Sequence, residues 1–470
     1  MTRSSLPPIT QVTGGVEGFA ASYPAMQELA DRIASTAGRL RDHAAADAHA
    51  LADPALVESA PLSPVTFAEA ESRLLEAMTG AHGILEEAIG CETLALLIRA
   101  EVAAFQECDR LVAVSLRVLD DQLGEAAGYA ARLSAPALVV AGLVAAPAWR
   151  LMSERTRRRL GRELEVWLDD HPEAVQHAVD GSGGLLDGLL GVPPIDPTVA
   201  DAASDLSRLY PPEATPRVVR RRDLATPLGA VAPDDLTGLL RHLRQTNALS
   251  PADRPGDQGT IEVQRLRARR EDGAAPDRYI VYLPGTDDPT AMPWSHDRDV
   301  RDLPADLHVM AGEPAAYTRG IERAMTRAGV GPRDPVLLVG HSLGGMEAAT
   351  MLARGSGFRV THVVTAGSPV AGMPGYPAHS HVLSLENRGD VVPLLDGRDN
   401  ADSRQQVTVQ FDDPGRSVLG SHRLGHYVHG AAAAEVSPDA SIAEQLASLR
   451  AHGFLGSGAA ATSQVFQIVR

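Results

Sequence analysis

The sequence predicts a mainly parallel α/β sheet with helices on both faces, preceded by an all-α helical bundle. Three observations predict it. The apolar period is helical almost continuously to about residue 190, a stretch dense in Gly and Pro follows, and short strand-like runs then alternate with helical ones to the C-terminus. A chain of 470 residues is also long for one domain and suits two. The expected division is a helical bundle at 1–195, a linker and lead-in helix at 196–250, and the α/β domain at 251–470.

In the bundle, Phe19, Tyr23, Met26, Ala30, Ile33, Ala37 and Leu40 recur at steps of three and four, which places them on one helix face, with Ser22 and Pro24 in its first turn. Thr66 followed by Glu69 reads as a capping box ahead of Leu74, Leu75, Met78 and Ile84. A third helical stretch over 93–133 carries Leu94, Leu97, Ile98, Val102, Phe105, Leu111, Val114 and Leu119. None of this groups chemistry-bearing side chains, so the expected role is packing, protein–protein contact or self-association. Residues 135–149 are apolar and bracketed by Pro136 and Pro147, but too short to span a bilayer, and read as a buried core helix.

Gly181, Gly183, Gly184, Pro193, Pro194, Pro211 and Pro212 mark the linker. Beyond it, 260–266 alternates as an edge strand and 279–283 is a buried strand. Residues 315–328 form a helix and 335–339 a strand, and 360–365, 381–385 and 406–411 are further strands.

Charge and cysteine content narrow the function. Forty-three basic against 60 acidic residues give a net charge of −17, which argues against a nucleic-acid or anionic-membrane surface. Every basic side chain is arginine, for the chain has no lysine. The dense runs at 155–162 and 217–222 read as a solvated helix face or linker. Cys91 and Cys108, the two cysteines, would stand about 25 Å apart on one helix and make neither a disulfide framework nor a zinc ribbon. The N-terminal residues have no apolar core of a signal peptide, so the cytoplasm is the expected compartment, with signal-less export as the other route. No transmembrane span, metal or cofactor is expected.

The chemistry concentrates at residues 336–345, Val-Leu-Leu-Val-Gly-His-Ser-Leu-Gly-Gly, a strand breaking into Gly-x-Ser-x-Gly and then into the helix-forming run 346–353. A serine hydroxyl is a weak nucleophile and must stand proud of a sheet edge on a tight turn where a histidine reaches it. Ser342 is the predicted nucleophile, supported by Gly340, His341 and Gly344, the glycines because a Cβ would collide in such a turn. The acid that orients the base belongs on the loop after a later strand, where Asp390 is the first choice, Glu386 the second, and Asp396 and Asp399 poorer. The base comes last in chain order. Of His422, His426 and His429, His422 is favoured because it sits where a loop meets the final helix. The amides of Leu343 and of Thr286, which follows Gly285 at a strand end, are the expected oxyanion donors.

With these pieces in place, the chain resembles the α/β-hydrolases of the class 3 lipase type. The matching motifs are Gly285-Thr286 after a strand, Gly-His-Ser-Leu-Gly-Gly at 340–345, Asn387-x-x-Asp390-Val-Val-Pro393, and His422-x4-Tyr427-x-His429. The resemblance covers about residues 260–432. It implies an α/β-hydrolase fold and a triad of Ser342, Asp390 and His422, acting on small-molecule or lipid esters with no cofactor. Pro284 stands where the family usually has Arg, and Pro293 to Asp297 replaces its Asp-Trp pair. Residues 287–306 are acidic and polar for a lid, which favours an esterase over an interfacially activated lipase. The helical region distantly resembles those that actinobacterial proteins place ahead of effector domains.

Other readings have less support. A metal hydrolase built on His422, His426 and His429, with His379 and His381 nearby in sequence, leaves the elbow unexplained. A helical interaction scaffold with a vestigial hydrolase domain leaves the full set of candidate residues unexplained. A thioesterase or acyltransferase would use the same elbow. A dinucleotide-binding fold lacks its Gly-x-Gly-x-x-Gly.

Overall fold

A computed structural model describes residues 6–16, 19–80, 83–103, 199–211, 214–251, 254–267, 277–287, 299–415 and 418–470. The chain divides into two compact units, one of Phe19–Ser115 and one of Met1–Gly18 with Leu116–Arg470. The expected features at 135–149, 155–162, 181–198 and Cys108 lie outside the described residues.

The first unit is helical, with α1 at Phe19–Leu51, α2 at Pro54–Ser59, α3 at Pro64–Thr79 and α4 at residues 84–103. α3 starts ahead of the expected Thr66, because Pro64 suits a first helical position and Ser63 precedes it as N-cap. The buried stripes of α1 and α4 run at heptad spacing, Ala30, Ala37 and Ala44 on α1 and Ala88, Ala95 and Val102 on α4. Ion pairs of 2.6 Å, Arg99 to Asp31 and Arg41 to Glu92, join α1 and α4 in antiparallel order. Leu94 and Leu97, read as core from their spacing, are exposed, while Ala88, Ala95 and Val102 occupy the packed face. Cys91 is a half-buried free thiol.

The second unit is built on a nine-stranded mixed sheet in the order β1-β8-β7-β6-β5-β4-β3-β9-β2. The strands are β1 Ile9–Gly14, β2 Arg217–Arg220, β3 Thr260–Arg267, β4 Arg278–Leu283, β5 Pro335–His341, β6 Arg359–Ala366, β7 His381–Asn387, β8 Gln406–Phe411 and β9 Ala460–Val469. β4 to β8 are mutually parallel, and β1, β3, β9 and β2 join antiparallel at the flanks. Besides the single turn Val418–Ser421, the helices are α5 Val199–Ser207, α6 Leu236–Asn247, α7 Leu303–Met310, α8 Ala316–Ala328, α9 Leu343–Ala353, α10 Leu424–Glu435 and α11 Ala440–Ala451.

Alternation along β5 explains the layering. Val336 and Leu338 enter a core with α7, α8 and α9, whereas Leu337 and Val339 enter one with α6, α10 and α11. A strand buried on both faces is apolar throughout, as Pro335–Val339 is.

The outer strands depart from expectation. Ile9–Gly14, assigned to the helical region, pairs with β8, and the basic run at 217–222 supplies β2. In that run Val218 is buried and Arg221 ion-pairs with Asp223 and Asp257, so the arginines flank an edge strand. The stretch 196–250, read as linker and lead-in helix, contributes β2 as well as α6 to this unit. Among the described residues, no helix is long and apolar enough to cross a membrane.

Candidate active site

Parallel strands bring their C-terminal ends to one sheet edge, and that edge collects the predicted residues. Across it, Leu283 of β4 pairs with Gly340, His341 with Ala366 of β6, Ala366 with Leu385 of β7, and Asn387 with Phe411 of β8. The loops carrying Thr286, Ser342, Asp390 and His422 therefore leave neighbouring strands on the same side.

Ser342 stands between β5 and α9 with φ 52° and ψ −124°, the one non-glycine residue with positive φ among the described residues. Such a backbone costs about 1–3 kcal/mol and persists only where its surroundings enforce it. Here the Ser342 amide donates to Ala366 O at 3.1 Å, and Ser342 O accepts from Gly345 N at 2.9 Å. The glycines permit the turn. A Cβ on Gly340 would lie 2.2 Å from Gly344 O, and one on Gly344 would lie 2.0 Å from Leu283 O.

His422 and Asp390 meet directly, with Nδ1 2.6 Å from Oδ2. The carboxyl of Asp390 is fully buried and also accepts from Tyr427 Oη at 2.5 Å and from Val392 N at 2.9 Å. Three donors converge on it, and with the carboxylate as acceptor the bond from His422 places the imidazole proton on Nδ1 and the lone pair on Nε2. Asn387 ties the two loops together, because its Nδ2 donates to Asp413 O at 2.9 Å and Ser421 O at 3.1 Å while its Oδ1 accepts from Asp413 N at 3.0 Å.

His341 connects base and elbow. Its Nε2 donates to the carbonyl of His422 at 2.8 Å, and the two rings lie 4.4 Å apart. Burial, then the nearby His422, hold the His341 imidazole well below the usual histidine range, so it remains a neutral donor. Among the described contacts no hydrogen bond joins Ser342 Oγ to His422. Such bonds commonly tighten only with substrate bound.

On the other flank, Gly285 packs so closely on the elbow that a Cβ there would lie 2.8 Å from Ser342 Cβ. Among the described residues, neither the Thr286 nor the Leu343 amide donates to a protein acceptor. The Thr286 hydroxyl donates to Asp306 at 2.9 Å, and burial, with repulsion from Asp302, pushes that carboxyl up to about 7. Beneath this loop Arg301 is fully buried and bonded to Gly285 O and Asp287. Residues 299–306, part of the segment weighed as a lid, thus support the loop from below, with Asp299, Arg301 and Asp302 in the interior.

The remaining candidates fall elsewhere. Glu386 accepts from Asn400 at 2.7 Å and Gln410 at 3.3 Å, and burial, with repulsion from Asp396 and Asp399, raises it to about 8. Asp396 caps the loop after β6 through Ala371 N at 2.6 Å. Nδ1 of His426 and of His429 lie 3.0 and 2.9 Å from Asp413 Oδ2. The three histidines of the last motif are thus divided between two carboxylates, and among the described residues no group of three such side chains is arranged to hold a metal ion.

Sequence reasoning did not single out Arg301, Asp306 or Asp413, whose contacts are long-range and have no local signature. Tyr427 and Asn387 stood in the quoted motifs without a role. No family model, curated protein or solved structure matches this chain.

Proposed function

We propose that the chain is a serine hydrolase of carboxylic esters with an α/β-hydrolase fold. The observation that carries the reading is Ser342 on a strained turn at the end of β5, at the same sheet edge as the buried Asp390–His422 pair. In the proposed reaction Ser342 Oγ attacks the ester carbonyl, and His422 Nε2 takes its proton and passes it to the leaving alcohol. Asp390 holds the imidazole tautomer. The Leu343 and Thr286 amides receive the oxyanion, and water then releases the acid with His422 again as base.

A fluorophosphonate probe tests this. The wild type should be labelled at Ser342 with or without chelator, and Ser342→Ala should lose both labelling and ester turnover while keeping its melting temperature. Turnover in Ser342→Ala would reject the mechanism. An unlabelled and inactive wild type would favour the scaffold, and chelator-sensitive turnover a metal enzyme. Hydrolysis of p-nitrophenyl esters of rising chain length then separates esterase from lipase.

A further inference from the structure

The proposed oxyanion hole needs the Thr286 N–H to be aimed before any charge develops, and nothing within residues 284–286 fixes that direction. We infer that Arg301 is its positioning residue, clamping the Gly285–Thr286 peptide so that the Thr286 N–H faces the elbow. The inference rests on the serine-hydrolase reading.

A peptide unit is planar and trans, so its C=O and N–H point in opposite directions. Arg301 Nη1 donates to Gly285 O at 2.9 Å from within the core, and whatever holds that carbonyl inward turns the Thr286 N–H outward. The adjoining carbonyl, Pro284 O, is also drawn inward, by Tyr317 Oη at 3.3 Å. Arg301 itself cannot swing. It is fully buried, its Nη2 bonds Asp287, its amide donates to Asp299 Oδ1 at 3.0 Å, and its carbonyl accepts from Asp287 N at 2.7 Å. Asp287 Oδ2 is anchored in turn by Gly259 N at 3.0 Å.

The clamp acts beyond geometry. A cationic donor on the carbonyl polarises the peptide and strengthens its N–H as a donor to an anion. The two bonds leave from two nitrogens of one planar fork, which a lysine ammonium cannot reproduce.

Arg301→Lys tests the assignment, measured by ester kinetics and by inhibition with a trifluoromethyl ketone, whose hemiketal oxyanion mimics the tetrahedral intermediate. The expected result is kcat lowered about 10- to 100-fold with KM little changed, and a Ki for the ketone raised by the same factor. A folded Arg301→Lys with unchanged kcat and Ki overturns the inference, as does a loss of kcat without a matching change in Ki. Should Arg301→Lys not fold, Asp287→Asn carries the test. It keeps the volume and the Gly285 contact but removes the charge steadying the guanidinium, so smaller parallel shifts in kcat and Ki are expected and unchanged values again overturn it. A wild type that fluorophosphonate leaves unlabelled and that hydrolyses no ester overturns the serine-hydrolase reading itself, and the inference falls with it.

Discussion

His341 Nε2 and the main-chain carbonyl of His422 lie 2.8 Å apart, so the side chain before the proposed nucleophile holds the backbone of its proposed base. Removing it should loosen the base without touching the acid. His341→Ala is expected to slow labelling of Ser342 about tenfold, with His341→Gln, which keeps an N–H donor, losing less. Equal labelling rates in wild type and His341→Ala would show that the contact is structural only.

The division of the histidines between Asp390 and Asp413 ranks three substitutions. His422→Ala should cost about 10³-fold or more in kcat, because the proposed general base is gone. His426→Ala and His429→Ala remove contacts to Asp413 and to each other, away from the Asp390–His422 pair, and should retain kcat within about threefold. Steady-state rates of the three variants decide, and a greater loss at 426 or 429 would move the base assignment to that residue.

Two glycines separate geometric need from chance. A Cβ on Gly344 meets backbone at 2.0 Å, whereas one on Gly425, in the first turn of α10, meets nothing within 4 Å. Gly344→Ala should therefore lose about 3 kcal/mol or fail to accumulate, while Gly425→Ala should hold or gain about 0.5 kcal/mol. Chemical denaturation measures both, and an undamaged Gly344→Ala would mean that the elbow relaxes freely.

The parallel core was legible because β4 and β5 are apolar runs, β6 and β7 are richest in Val and Leu, and β8 alternates Val407, Val409 and Phe411 with polar residues, and the elbow because a strand, a Gly-x-Ser-x-Gly turn and a helix stand in fixed order. Of the flanking strands, β3 was read, though as an edge strand when it lies between β4 and β9, and β1, β2 and β9 were not. β2 is four residues with arginine at both ends, and β1 and β9 mix Gln, Thr and Ser among their apolar residues, so only pairing with a neighbour defines them. Asp390 was singled out for its place just past a later strand and His422 for its place where a loop meets the final helix, and the two side chains lie 2.6 Å apart. The clamp of Arg301 on Gly285 joins residues sixteen apart through a buried guanidinium, and no spacing rule announces it.

Away from the sheet edge that carries Ser342, a histidine cluster is expected to weaken the fold in acid. His362 in β6 is buried and bonded by Thr361 Oγ1 and Ser448 Oγ, both at 2.9 Å, with the His381 and His452 rings 4.9 and 4.6 Å away. Burial, then repulsion from His381 and His452, lowers its pKa to about 2, and His381 is lowered by burial and His452 against the opposing pull of Glu444. Below about pH 6.5 the unfolded chain takes up protons that folded His362 refuses, so stability is lost as pH falls, at about 1.4 kcal/mol per pH unit. Raised carboxyls work in the opposite sense. Glu386 at about 8, and Asp306 and Asp396 at about 7, bind protons in the fold before they do unfolded, and so gain stability as pH falls through those values. The two trends offset one another in the wild type, and a comparison with His362→Gln removes only the histidine part. Glutamine keeps hydrogen-bonding capacity toward Ser448 and cannot charge. His362→Gln should therefore lose less melting temperature than wild type between pH 6.5 and 5, whatever its starting stability at pH 7.5. Parallel melting curves across that interval would show that the cluster does not carry the acid response.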